Sequence, residues 1–215
     1  MKKMIGIIAR PYIDKDGTKY MGINENIRKS IIKKNCIPLI INSVDYYSIE
    51  KKLSTIEKNF YKKIIDMCSG IIITGGSYWY NYDIFILKYA IKKDVPVLGI
   101  CMGMQLMASL FTNDDNIELN NSNINHHDLH EIFINDNTIL KKIINTNKII
   151  VNSRHSYHIK KANNFIISAT SPDNLIEAIE MPNKKCVIGL QWHPEDMLDY
   201  DINANKIYDF FINKL

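Results

Sequence analysis

The stretch Val95-Pro-Val-Leu-Gly-Ile-Cys101-Met-Gly-Met-Gln105 decides how this chain is read. A short apolar strand ends at a cysteine that has glycine two positions before it, Gly99, and two after it, Gly103. A helical pattern, Gln105-Leu-Met-Ala-Ser-Leu, follows at once. The expected form is strand, sharp turn and helix, with a thiol at the apex of the turn. Small neighbours let the backbone turn tightly and leave room for a substrate. A helix N-terminus behind the sulfur favours the thiolate, the nucleophilic form.

Outward from this turn, the first two thirds of the chain alternate strand and helix patterns. Ile5–Ala9, Ile37–Ile41, Gly70–Thr74 and Val95–Ile100 are apolar, strand-like runs. Between them, Asn24–Lys34 carries Ile27, Ile31 and Ile32 at helical spacing, and Ile84–Lys93 reads as another helix. Ile49, Leu53, Ile56, Phe60 and Ile64 mark one face of a predicted long helix. Continuous apolar strands alternating with amphipathic helices imply a parallel sheet covered on both faces.

The last third reads differently. Glu131–Asn135, Ile149–Asn152, Phe165–Ala169, Leu175–Met181 and Cys186–Gln191 are short strand patterns divided by polar turns, which predict an antiparallel or mixed extension. Asn203–Leu215 closes as a helix with Ile207, Phe210 and Phe211 inward. No linker or repeat interrupts the sequence, so one domain spanning 1–215 is expected. The Asn- and Asp-rich segment Asn113–Asp128 is expected to be a mobile surface loop.

Composition narrows the function classes. With 215 residues, 46% of them hydrophobic, the chain can bury a substantial core. The net charge of +4 is modest and the lysines are scattered, so no basic stripe points to nucleic acid. No apolar run approaches the roughly 18 residues a membrane helix requires. The N-terminal apolar run is too short for a secretory signal. Cys36, Cys68, Cys101 and Cys186 form no CxxC pair, which argues against a zinc site or a disulfide framework. A soluble, cytoplasmic protein without metal or cofactor is expected.

Cys36, Cys68 and Cys186 lack a glycine frame and read as small core residues. Cys101 reads as a nucleophile. A base candidate occurs in Gln191-Trp-His193-Pro-Glu195, after the strand Val187–Trp192, which Pro194 ends. Glu195 can hold the imidazole in one tautomer. Gly75-Gly76, after a buried strand, offers unencumbered N–H donors for an oxyanion, and the Met102 N–H at the helix start is a natural second donor. The cluster His126, His127 and His130 reads as surface histidines, with a metal site or a substrate contact as the alternative.

Gly-Ile-Cys101-Met-Gly-Met-Gln105, Thr74-Gly-Gly76 and Gln191-Trp-His193-Pro-Glu195 resemble, in order and spacing, the three signatures of class I glutamine amidotransferases. Val151-Asn-Ser-Arg-His155 and Glu177-Ala-Ile-Glu180 resemble the branch of γ-glutamyl-γ-aminobutyrate hydrolases, and Arg10 fits as well. The resemblance implies an α/β three-layer sandwich with a central, mostly parallel, flavodoxin-like sheet and a smaller antiparallel extension. It implies hydrolysis of a γ-glutamyl amide by Cys101, His193 and Glu195. Gly76 and Met102 would hold the oxyanion, and Gly75, Gln105, Ser153, Arg154 and His155 would contact the substrate. A stand-alone hydrolase and a glutaminase subunit that passes ammonia to a synthetase partner are both compatible with it, as is a homodimer. Two departures stand out. Ser77–Tyr82 runs almost directly into the next helix where the hydrolase branch usually carries a long insertion, and Met102 stands where that branch commonly has Arg. The leaving amine is therefore left open.

Overall fold

The computed structural model describes residues 2–46, 49–112, 115–121 and 124–215. Its spine is a nine-stranded sheet. In chain order the strands are β1 (Met4–Ile8), β4 (Ile37–Ile41), β5 (Gly70–Ile73), β6 (Val97–Ile100), β8 (Leu129–Ile134), β9 (Lys148–Asn152), β11 (Ile166–Thr170), β12 (Ile176–Glu180) and β13 (Val187–Leu190). Their spatial order is β4-β1-β5-β6-β13-β12-β11-β8-β9. Pairing is parallel from β4 to β13 and antiparallel from β13 to β9. The expected extension thus continues the same sheet rather than forming a separate one. Two small antiparallel pairs stand apart from it: the hairpin of β2 (Arg10–Ile13) with β3 (Lys19–Gly22), and the long-range pair of β7 (Ile117–Leu119) with β10 (Tyr157–Ile159).

Among the described residues six α-helices complete the layers: α1 (Glu25–Lys33), α2 (Thr55–Met67), α3 (Asn81–Lys92), α4 (Met102–Ser109), α5 (Ile139–Ile144) and α6 (Ile202–Asn213). Alternation along each central strand divides the core in two. Ile5, Ile7, Ile72, Leu98, Ile100, Ile188 and Leu190 face a cluster that includes Ile27, Ile31, Leu140, Ile207 and Phe211 of α1, α5 and α6. Ile8, Ile71, Ile73, Val97 and Val187 face the opposite cluster, with Tyr61, Ile65, Ile86 and Met107 of α2, α3 and α4. Strands buried on both faces are what made the β5 and β6 sequences read as continuous apolar runs.

Several expectations need correction. The predicted face of the long helix is misphased. Ser54 begins it, with a capping box in which Ser54 Oγ accepts from Glu57 N and Glu57 accepts from Ser54 N. Ile49 and Leu53 therefore lie ahead of the helix, and Ile56 (82% exposed) and Phe60 (51%) point outward, while Tyr61 and Ile65 pack inward. Phe210 is only partly buried. The segment Asn113–Asp128 carries β7, and it buries Asn116 and His126. Residues 113, 114, 122 and 123 of that segment lie outside the described residues. Among the described residues no helix is long and apolar enough to cross a membrane.

Candidate active site

The glycines at the cysteine turn serve close packing. A Cβ on Gly99 would lie 2.4 Å from Met107 Sδ, and one on Gly103 would lie 2.3 Å from the Ile73 carbonyl oxygen. Helix α4 can sit tight against β5 and β6 only because neither Cβ exists. Cys101 itself has φ 52° and ψ −110°, a conformation that L-residues avoid. Such strain costs on the order of 1–3 kcal/mol and persists only where surrounding structure enforces it. Here the enforcement is visible: the Cys101 N–H donates to the Leu190 carbonyl at 2.7 Å, and its carbonyl accepts from Gln105 N at 3.2 Å. The Met102 N–H stands at the first position of α4, where no intrahelical acceptor exists.

The parallel register of β6 and β13 levels the ends of the two strands. Gly99 pairs with Gly189 and Ile100 with Leu190. Cys101 and the run Gln191-Trp192-His193 therefore leave the sheet side by side, at the carboxyl ends of the strands where α/β proteins bind ligands. His193 Nδ1 lies 2.8 Å from Glu195 Oε1, and the His193 N–H donates to Asn152 Oδ1 at 3.1 Å. Both His193 and Glu195 are buried. Burial pushes the His193 imidazole down, but the Cys101 sulfur and the Glu195 carboxylate push it up further, to about 9. Gly75 closes the arrangement, for a Cβ there would come within 3.1 Å of His193 Cε1 and 3.5 Å of Cys101 Cβ.

The turn after β5 is clamped from below. Arg10 Nε and Nη2 donate to Thr74 Oγ1 and to the Thr74 carbonyl, each at 2.9 Å, and Arg10 Nη1 pairs with buried Asp83 at 2.7 Å. The second oxygen of Asp83 accepts from Tyr80 N at 2.8 Å. Gly75 and Gly76 thus sit on a fixed shelf between Arg10 and the cysteine turn.

A cleft of about 670 Å³ opens over the sulfur, lined by Cys101, Gly76, Gln105, Arg154, His155 and the Ser77–Trp79 segment, among others. A second opening of about 500 Å³ has His193, Gly75, Thr74, Glu195, Arg10 and Tyr12 among its walls. Arg154 lines both, and its guanidinium pairs with Asp196 at 2.7 Å. Ser153 is buried and is not among the residues lining either opening. Gln105 is tied down, its amide donating to the Tyr157 carbonyl at 2.9 Å and to Gln191 Oε1 at 3.2 Å. The aromatic segment splits: Tyr78 (72% exposed) and Trp79 line the cleft, whereas Tyr80 stacks on Tyr82 with centroids 5.8 Å apart.

Two features escaped the sequence reading. Gln191 Nε2 reaches Cys101 Sγ at 3.7 Å, so the residue before Trp192 touches the candidate nucleophile. The histidine cluster is not on the surface. His126 and His130 are buried around Glu177, and only His127 is exposed. Burial raises the Glu177 carboxyl, yet the imidazoles of His126, His130 and His155 hold it well below the usual carboxylate range. His126 is raised despite its burial, by Glu177 and Asp173. Cys36, Cys68 and Cys186 are buried and free, as expected of core thiols, and burial pushes each of them up.

This is the fold of class I glutamine amidotransferases. It overlays the glutaminase domain of a Trypanosoma brucei CTP synthase with bound acivicin (TM-score 0.71, 17% identity, 99% of this chain and 94% of that one). It also overlays a glutamine amidotransferase from Methylobacillus flagellatus (TM-score 0.67, 15% identity, 100% and 95%). The Peptidase C26 family model matches residues 80–195, more than half of the chain, and the chain belongs to that family of glutamine amidotransferase-like hydrolases. A glutamine amidotransferase-like protein of Rickettsia prowazekii is 32% identical over 172 residues, covering 57% of this chain and 61% of the relative. CTP synthase of a Hydrogenobaculum species is 28% identical over 228 residues, covering 86% of this chain and 42% of the relative. The chain spans about half the length of the curated relatives it matches.

Proposed function

We propose that this chain hydrolyses a γ-glutamyl amide through a glutamyl thioester on Cys101. The observation that carries the reading is the strained cysteine turn levelled against His193, which Glu195 in turn holds at 2.8 Å. His193 takes the thiol proton as the sulfur attacks the δ-carbonyl carbon. The carbonyl oxygen becomes an oxyanion facing the Gly76 and Met102 N–H groups. Collapse breaks the C–N bond, and His193 returns its proton to the departing nitrogen. Water, deprotonated by His193, then attacks the thioester and releases glutamate and the free thiol. A raised His193 suits this cycle, because the imidazolium must persist while sulfur carries charge. Gln105, Arg154 and His155, which line the cleft over the sulfur, offer charged and polar groups for the glutamyl end, and Gly75 backs the cysteine. Ser153 is buried and its N–H donates to the Asp128 carbonyl at 3.1 Å, so it holds Arg154 and His155 in place from below.

A second reading is a glutaminase subunit that passes ammonia to a separate synthetase chain. Two observations favour it: the similarity to CTP synthase over 86% of the chain, and the second opening, which His193 lines. Glutamate release from glutamine and from a panel of γ-glutamyl amines separates the readings. The hydrolase turns over a substituted γ-glutamyl amine unaided, and the subunit turns over glutamine only when a partner is supplied. Equal release by wild type and Cys101→Ala would sink the cysteine mechanism, for which the expected loss is at least ~10³-fold in kcat.

A further inference from the structure

We propose that His126, His130 and Glu177 form a binding site for a divalent transition metal of the zinc class, with His155 at its margin. One nitrogen from each of the two histidines and one oxygen of Glu177 all lie within 4.8 Å of one another. His126 Nδ1 stands 3.4 Å from Glu177 Oε1, His130 Nε2 stands 3.2 Å from it, and His155 Nε2 stands 3.7 Å from it. Tetrahedral zinc with bonds of about 2.0–2.2 Å places its ligand atoms roughly 3.3 Å apart, so the first two distances, one of them also a 3.2 Å hydrogen bond, match the spacing of ligands sharing an ion. Two histidines and a glutamate with a fourth position open is an established zinc donor set. The fourth position falls to His155 Nε2 or to water.

The polar accounting points the same way. His126 Nδ1, His155 Nε2 and Glu177 Oε2 are fully buried, and no hydrogen bond satisfies any of them. Without a cation, one carboxylate oxygen would face three imidazoles while its twin faces none. Native interiors seldom leave that many polar atoms unpaired at one point. A metal among these nitrogens takes up their lone pairs and offers the second oxygen a partner.

The outer contacts of His126 and His155 fit as well, while Nδ1 of His130 is buried without a hydrogen-bond partner. Metal-bound histidines usually give their other ring nitrogen to a carboxylate or a backbone carbonyl. His126 Nε2 lies 3.0 Å from Asp173 Oδ2, and Asp173 is itself held by the Ser171 hydroxyl. His155 Nδ1 lies 3.1 Å from the Tyr157 carbonyl. The ligands come from β8, β12 and the segment before β8, and the His155 N–H donates to the His126 carbonyl at 3.0 Å. An ion here would fix the cleft wall at Arg154 and His155 from behind. The inference does not rest on the proposed reaction.

The test is metal content, with turnover as a separate readout. Purified protein is loaded with Zn²⁺, dialysed, and measured by plasma mass spectrometry; a Co²⁺-loaded sample is examined for the visible absorption of tetrahedral cobalt. Wild type and Cys101→Ala should each retain about one ion per chain, which excludes the active-site thiol as the ligand. Glu177→Gln and His130→Gln should lose it, and Asp173→Asn should bind about 10–100-fold more weakly. Should a ligand variant fail to fold, the wild-type cobalt spectrum and the folded Asp173→Asn protein still decide. Wild type that retains no ion and shows no cobalt bands overturns the proposal. Folded Glu177→Gln that retains as much as wild type overturns it too.

Discussion

The His193–Glu195 contact gives the most demanding prediction, tested by Glu195→Gln. The amide keeps the shape of the carboxylate and removes its charge. Holding His193 at about 9, from an ordinary 6.5, corresponds to about 3 kcal/mol of preference for the imidazolium. Burial opposes that preference, and two groups, the Cys101 sulfur and the Glu195 carboxylate, produce it. If Glu195 supplies about half, the variant loses ~1.5 kcal/mol, a roughly tenfold change in the protonation ratio. His193 should then titrate at least one pH unit lower, which ring resonances in NMR report directly. The stability consequence has a definite sign. Because the folded value lies above the unfolded one, the wild-type contribution is complete below about pH 6.5 and is lost as pH rises through about 9. Urea unfolding from pH 6 to 10 should show that loss in wild type, and a smaller, earlier loss in the variant. Turnover should fall by about two orders of magnitude or more, since a misoriented base disables the whole unit. An unchanged His193 titration in the variant would refute the assignment of Glu195 as its partner.

Two further predictions concern what holds Cys101 and the turn beside it in place. Gly103→Ala drives a Cβ to 2.3 Å from the Ile73 carbonyl oxygen, a backbone atom that cannot swing away. It should cost about 2–3 kcal/mol and lower the Tm by about 5–10 °C; calorimetry showing less than a degree of change would contradict the packing argument. Asp83→Ala leaves the Arg10 guanidinium without its buried partner. A loss of about 3–5 kcal/mol in urea unfolding is expected, along with weaker turnover as the Thr74–Gly76 shelf loosens, and a variant as stable as wild type would show that the ion pair is dispensable.

Much of the fold was readable from local pattern. The runs at β1, β5 and β6 are apolar because both of their faces are covered, while the equally apolar β4 lies at the sheet edge and leaves Ile37 and Ile40 exposed; the glycine frame of Cys101 is there because two backbones meet there. The candidate triad was readable because its signals are short and self-contained. What escaped is either a matter of phase or of long range. The α2 face was misassigned because an apolar spacing was followed through Ser54, although Ser54 and Glu57 announce a helix start. The β2–β3 hairpin was passed over even though Asp14 and Gly17 mark its turn, where Asp14 accepts from Thr18 N and Gly17 adopts φ +82°. The burial of His126 and His130 depends on Glu177, which β12 brings in from far along the chain. Polar residues in an Asn-rich stretch look solvated until the partner that satisfies them is known.

The seating of β13 between β6 and β12 also sets the order in which the protein can be assembled. The four strands β4, β1, β5 and β6 are complete once residue 100 has emerged from the ribosome, and β6 then presents an unpaired, apolar edge. That edge is covered only when residues 187–190 arrive. Until then the growing chain carries a long-lived open sheet edge, the kind of surface that recruits other strands. Its thiol meanwhile lacks the imidazole and the Leu190 carbonyl that hold it in place. Closing the sheet and setting Cys101 beside His193 are therefore one late folding event, and a chain stalled in synthesis before β13 would be aggregation-prone with its candidate site unassembled.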